Sequence, residues 1–138
     1  MRSTICFVIV ALISASTFAA KGTHLDTSLS PLKDVAPNKL VFKGANRLVP
    51  KQIKTAEDIV KYFGKEQAKV IGKKVDLKRQ MIFVFAWRGS GGDRLIYDLA
   101  KSNPPIYQFH FVHGETDDLR KHAYVYVAGL KAKWTVSD

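Results

Sequence analysis

Outside its N-terminus, the longest unbroken apolar run in the chain is Met81-Ile82-Phe83-Val84-Phe85-Ala86-Trp87. A run of this length bounded by polar and glycine residues predicts a central strand buried on both faces. The segments that follow alternate instead. Leu95, Tyr97 and Leu99 share one face over Arg94–Leu99, and Tyr107, Phe109 and Phe111 share one over Ile106–Val112. In His122–Ala128, Ala123, Val125 and Val127 lie opposite Tyr124 and Tyr126. A last short strand spans Lys133–Val136 and carries Trp134. Arg88–Asp93 reads as a glycine-rich loop, Asn103-Pro104-Pro105 breaks the chain, and polar His113–Lys121 reads as a second loop. Strands spaced at roughly ten residues predict an antiparallel meander, sandwich or small barrel.

Upstream the period changes. Ile59, Tyr62 and Phe63 form an i, i+3, i+4 stripe. Thr55 is placed to cap that helix, Glu57 and Asp58 lie where carboxylates meet the positive end of the helix dipole, and Gly64 ends it. Glu66–Ile71 predicts a short second helix stopped by Gly72. Before these helices, Lys39–Lys43 alternates as a short strand and Arg47–Ile53 reads as extended, with Pro50 suited to an edge. The sum is a β-rich α+β domain over residues 38–138. It is a single antiparallel sheet folded as a small sandwich or open barrel, with one or two short helices over about 56–71 packed on it. Residues 21–37 hold Ser28, Ser30, Pro31 and Pro37 without sustained periodicity and read as a loosely ordered leader.

The first 20 residues carry a different pattern. Arg2 precedes nine apolar residues, Ile5–Ile13, followed by small residues up to Ala19 and Ala20. That is the layout of a signal peptide, and it is too short for a membrane span of about 20 residues. The expectation is an exported protein, periplasmic or extracellular, with no transmembrane segment after cleavage. The single cysteine, Cys6, lies inside the apolar run. Its removal leaves no thiol for a disulfide, a nucleophile or a thiolate metal site.

Charge adds one more feature. The chain of 138 residues carries +10 at neutral pH. Residues 39–79 hold twelve basic residues, ten of them lysine, against four acidic ones, whereas residues 80–138 are nearly balanced. Lys61, Lys65 and Lys69 stand at i, i+4 spacing and would line one face if the helix ran through Gly64. Such a surface attracts polyanions weakly and without sequence selectivity; a solvated lysine-rich surface is the plainer reading.

The order Thr55-Ala56-Glu57-Asp58, Val75-Asp76-Leu77, the Met81–Trp87 run, Ser90-Gly91-Gly92-Asp93 and the terminal Ala132-Lys133-Trp134-Thr135-Val136 resembles the C-terminal domain of the bacterial protease-complex subunit PrcB. The resemblance covers about 85 residues. That family usually has Thr-Gly-Gly-Tyr at the glycine loop, where this chain has Ser90 and Asp93, and residues 113–122 do not match it. The chain is also similar to small exported proteins of unknown function that share Ala86-Trp87, Ser90–Asp93 and Asp118-Leu119-Arg120. The PrcB resemblance implies partner binding or stabilisation, without catalysis.

Three chemistries compete in the second half. A binding surface is expected from Arg88, Ser90, Gly91, Gly92, Asp93, Asp118, Arg120, Tyr124 and Tyr126. In it the two tyrosines form an exposed aromatic strip if the smaller aliphatics face the core. The glycine loop is either a tight connection needing positive φ or an anion cradle; a strand follows it where a phosphate loop needs a helix. Glu115, Arg120 and His122 supply a base, an oxyanion stabiliser and an acid, the residue types of a metal-free, ribonuclease-like phosphodiester hydrolase. They crowd into eight residues, whereas such enzymes draw theirs from separate strands. His110, His113, Glu115, Asp117, Asp118 and His122 are dense but have no zinc spacing, so neither a metal nor a cofactor is expected. The leading expectation is an exported, non-enzymatic domain that binds a protein partner or envelope polymer through loops and strands of its C-terminal half. The hydrolase and a structural anion-binding surface protein are the alternatives.

Overall fold

The structure, a computed structural model, describes residues 27–138. The expected signal peptide and the first part of the expected leader lie outside the described residues. Seven strands form two sheets. The first is antiparallel, in the order β1 (Leu29–Pro31), β6 (Leu119–Gly129), β3 (Gln80–Ser90), β2 (Lys51–Ile53). The second has the order β4 (Arg94–Ala100), β5 (Ile106–Val112), β7 (Lys133–Ser137). Helices α1 (Ala56–Phe63) and α2 (Lys65–Lys74) cover the outer face of the first sheet. The α+β, β-rich sandwich predicted from the pattern is present. Its strands divide between two sheets, and β5 pairs with β7 in parallel.

β3 explains the layering. It pairs with β6 along all eleven of its residues, from Gln80↔Gly129 to Ser90↔Leu119. Because side chains alternate along a strand, its apolar run supplies two cores. Ile82, Val84 and Ala86 join Val125 and Val127 beneath Ile59, Phe63 and Ile71 of the helices. Met81, Phe83, Phe85 and Trp87 join Tyr126 against Leu95, Tyr107, Phe109 and Phe111 of the second sheet. This second core is aromatic. Phe85 meets Phe109 at 4.7 Å between ring centroids, and Trp87 meets Phe111 edge-on at 4.8 Å.

Three local expectations are corrected. Lys39–Phe42 is a 3-10 helix, not a strand. Asn38 accepts from the Leu40 N–H, and its own side-chain and backbone N–H groups donate to the Lys61 and Tyr62 carbonyls of α1. The segment is thereby wound onto the helix end and inserts Val41 into the core. The leader is ordered over Leu29–Pro31, whose residues pair with Ala128, Val127 and Tyr126 of β6. And α2 runs through Gly72 to Lys74.

Gly64 separates the helices. Thr55 caps α1 by accepting from the Asp58 N–H at 3.1 Å, and Gly64 closes it at φ 82°. Lys61 and Lys65 therefore lie on different helices. Lys61 sits over the Tyr62 ring and Lys69 pairs with Glu66, so the three lysines do not line one continuous helix.

Phe85 is fully buried between the two sheets. Phe85→Ala is expected to destabilise the domain by about 3–5 kcal/mol in urea unfolding. A loss below about 1 kcal/mol would show that the inter-sheet core does not hold the sandwich together.

Candidate functional site

At the β3 end of the sandwich, the β3–β4 loop (Gly91–Asp93) and the β5–β6 loop (residues 113–118) interlock. The starting point is Trp87, placed in the aromatic core by strand parity. Its indole N–H donates to Asp93 Oδ2 at 3.0 Å. The other oxygen, Oδ1, accepts from the Gly114 backbone N–H at 2.9 Å. One carboxylate thus joins the core, its own loop and the neighbouring loop.

A second carboxylate mirrors it. Asp118 Oδ1 accepts from the Gly91 N–H at 3.1 Å and from the Thr116 hydroxyl, and Oδ2 accepts from Arg120 Nε. Since the Thr116 hydroxyl proton points to Asp118, Ser90 Oγ must donate to Thr116 Oγ1, at 2.8 Å. Ser90 Oγ in turn accepts from the Thr116 N–H at 3.0 Å. The Ser90 carbonyl accepts from the Asp93 N–H at 3.0 Å and from His122 Nε2 at 2.8 Å, which fixes the proton on that nitrogen. The His122 ring stacks on Trp87 at 4.9 Å.

The glycines are explained by crowding. Positive φ at glycine occurs, among the described residues, at Gly44 and Gly64 and not in this loop. A Cβ on Gly114 would collide with the Gly92 backbone and Ser90 Oγ, one on Gly91 with the Asp118 carboxylate, and one on Gly89 with Asp93. The expectation of a positive-φ turn is corrected accordingly: the glycines let two backbones touch. The anion-cradle alternative is corrected too, because the N–H groups of Gly91 and Asp93 are spent on Asp118 and Ser90.

Electrostatics agree with the geometry. The Gly114 N–H, and behind it the Trp87 indole and the neighbouring His122 and His113, hold the Asp93 carboxyl below its ordinary value against the cost of partial desolvation. The Thr116 hydroxyl, then Gly91 and Arg120, do the same for Asp118.

Of the residues expected at a binding surface, Ser90, Gly91, Gly92, Asp93, Asp118 and Arg120 do come together, and they are bonded chiefly to one another. Arg88 is exposed at the edge. The exposed aromatic strip is corrected. Tyr126 is buried in the inter-sheet core, where desolvation pushes its phenol up to about 12. Tyr124 lies half-buried and stacked on Trp87 at 5.6 Å. Val125 and Val127 do face a core, while Ala123 is exposed, but the sheet is covered on both sides there, so Tyr126 faces another core. Of the hydrolase set, Arg120 is turned to Asp118, His122 to Ser90, and Glu115 stands exposed. His110 and His113 point elsewhere, to Ser137 and Asp138. Among the described residues no group of three or more His, Asp, Glu or Cys side chains is placed to hold a metal ion.

Sequence reasoning missed Gly114, Thr116 and Leu119. The first two lie in a segment that reads only as a polar loop; their role appears when β3 and β6 set the loops side by side. Leu119 opens β6 beside Arg120 and is 74% exposed, the most exposed of the large apolar side chains among the described residues.

Comparison with family models, with curated proteins and with solved structures found no match.

Two substitutions test the interlock. Gly114→Ala is expected to cost about 1–3 kcal/mol, whereas Gly72→Ala, with open space around it on α2, should stabilise by roughly 0.5–1 kcal/mol. A carboxylate held below its unfolded value adds stability above that value and loses it as pH falls through the folded one. The Asp93 contribution should therefore be present above its ordinary 3.8 and fade below it. Asp93→Asn should lower the urea midpoint at neutral pH and flatten its decline between about pH 4 and pH 2. An unchanged acid profile would remove Asp93 from the network.

Proposed function

We propose that this chain is an exported, non-catalytic binding domain that engages a protein partner through the interlocked loop end of its sandwich. The observation that carries this reading is the exposure of Leu119 and the Arg120 guanidinium at the start of β6, against a loop pair already fixed by Asp93, Asp118 and Ser90. A rigid tip loses little conformational freedom on association, and an exposed apolar side chain beside an ion pair and a hydroxyl is the makeup of an interface anchor with a polar rim. Arg88 and Lys121, opposite each other on β3 and β6, extend the polar rim onto the adjoining face. The resemblance to the PrcB C-terminal domain supports the same function, and Arg2 with the Ile5–Ile13 run supports export. Among the described residues no helix is long and apolar enough to cross a membrane.

The hydrolase alternative, with Glu115, Arg120 and His122 as its acid–base set, makes a separate prediction: cleavage of single-stranded RNA that falls at least about 100-fold in His122→Ala. On the proposed reading purified protein leaves that RNA intact. A partner is retained from the native envelope fraction, and Leu119→Asp reduces its retention at least tenfold while Lys61→Glu/Lys65→Glu/Lys69→Glu does not. Retention that follows the lysines instead would identify the partner as a polyanion drawn to the basic half, and RNA cleavage that depends on His122 would replace the binding reading with the enzymatic one.

A further inference from the structure

β3 is longer than its outer neighbour. β2 pairs only with Ile82, Phe83 and Val84, through Ile53, Gln52 and Lys51. Beyond that point β6 still pairs with β3 as far as Ser90, but no described strand lies along its other edge. Pro50 and Val49 line a small pocket with Val84 and Ala86 without pairing with β3, and Pro50 lacks the N–H that would continue the ladder. An open cleft of about 490 Å³ follows, walled by Trp87 and Arg88 on β3 and by Phe42, Ala45, Asn46 and Arg47 across from them.

This cleft has the chemistry of a strand-binding lane. Along Trp87–Ser90 no described strand pairs with β3 on its outer side, although the Ser90 carbonyl is taken by Asp93 and His122, and such an edge is completed by an added strand. Four residues at strand rise give a lane of about 13 Å. Phe42 and Ala45 supply an apolar wall. The unpaired charge is cationic: Arg88 has no carboxylate partner among the described residues and Lys121 lies over the Phe42 ring at 5.7 Å, while Arg47 across the cleft is ion-paired with Asp138. No carboxylate lines the cleft itself. A partner segment that is both extended and acidic satisfies the edge and the guanidinium together.

We infer that the Trp87–Ser90 edge of β3 takes an extended acidic peptide segment of the partner protein as an added strand, with a carboxylate of that segment on Arg88. This rests on the reading of the chain as a protein-binding domain and extends its contact from the Leu119 tip to the adjoining edge.

The probe is an octapeptide of alternating valine and glutamate, labelled for fluorescence anisotropy, with amide hydrogen exchange of the protein followed in parallel. The control peptide has proline in place of valine, so that charge is kept and backbone donors are removed. The alternating peptide should bind, slow amide exchange within Trp87–Ser90, and lose at least tenfold in affinity to Arg88→Glu, with the thermal midpoint of that variant unchanged. The proline peptide should bind at least tenfold more weakly. Equal binding of the two peptides would reduce the effect to charge attraction and overturn the inference. So would protection confined to α1 and α2, or no binding at millimolar peptide. These arms are independent of the tip. If they fail while Leu119→Asp still releases the native partner, the edge inference falls alone. If they succeed and no Leu119-dependent partner exists, the proposal for the tip falls and the edge remains a peptide site.

Discussion

The constraint on which the domain depends is the burial of both faces of β3. A strand apolar at seven successive positions cannot leave either face in water. One face takes the helices and the other takes a second sheet, and the aromatic residues are divided accordingly. Strand parity then assigns Trp87 to the inter-sheet side, where its indole N–H needs an acceptor. Asp93, six residues on and just past the turn, provides it. The loop geometry is therefore a continuation of core packing, and the loop end of the sandwich inherits its rigidity from the same strand.

Polar satisfaction does the remaining work. Two carboxylates, two hydroxyls and several backbone N–H groups at this end form one network in which nearly every proton has an assigned acceptor. Such a network specifies a single arrangement, because removing one member leaves its partners unpaired in a partly desolvated place. The same saturation speaks to function. Groups already bonded to one another are poorly placed to bind a phosphate or to shuttle protons, and what the network leaves exposed around it is Leu119, Arg88 and the part of the Arg120 guanidinium not turned to Asp118.

The architecture was legible in the sequence where burial on one or two faces dictates periodicity. The Met81–Trp87 run, the alternations at Tyr107–Phe111 and Tyr124–Tyr126, and the Thr55 and Gly64 helix boundaries all correspond to observed elements. Lys39–Phe42 was not legible, because its alternation fits a strand and only contact of Asn38 with the distant end of α1 makes it a 3-10 helix. Nor was the parallel β5–β7 pair, since the spacing predicts antiparallel neighbours and does not show that β6, between them in the chain, crosses to the other sheet. At the site, Ser90–Asp93, Asp118 and Arg120 stood out by residue type, but their partners Gly114 and Thr116 did not. The interlock is a non-local event: a sequence shows that glycines are present, not that one faces another 22 residues away across a sheet end. Tyr126 illustrates the same limit, as opposite parity to a set of aliphatics implies exposure only when one face of the sheet is open.

Rigidity of the loop end is the central claim, and native-state hydrogen exchange reads it directly. The N–H groups of Gly91, Gly114 and Thr116 are donors within the interlock. They should exchange with free energies of opening close to those of the β3 and β6 ladder, several kcal/mol above a fraying loop. Exchange of these three amides at the rate of an unstructured chain, while the ladder stays protected, would contradict the account, for the tip would then be a flexible loop and not a preformed surface.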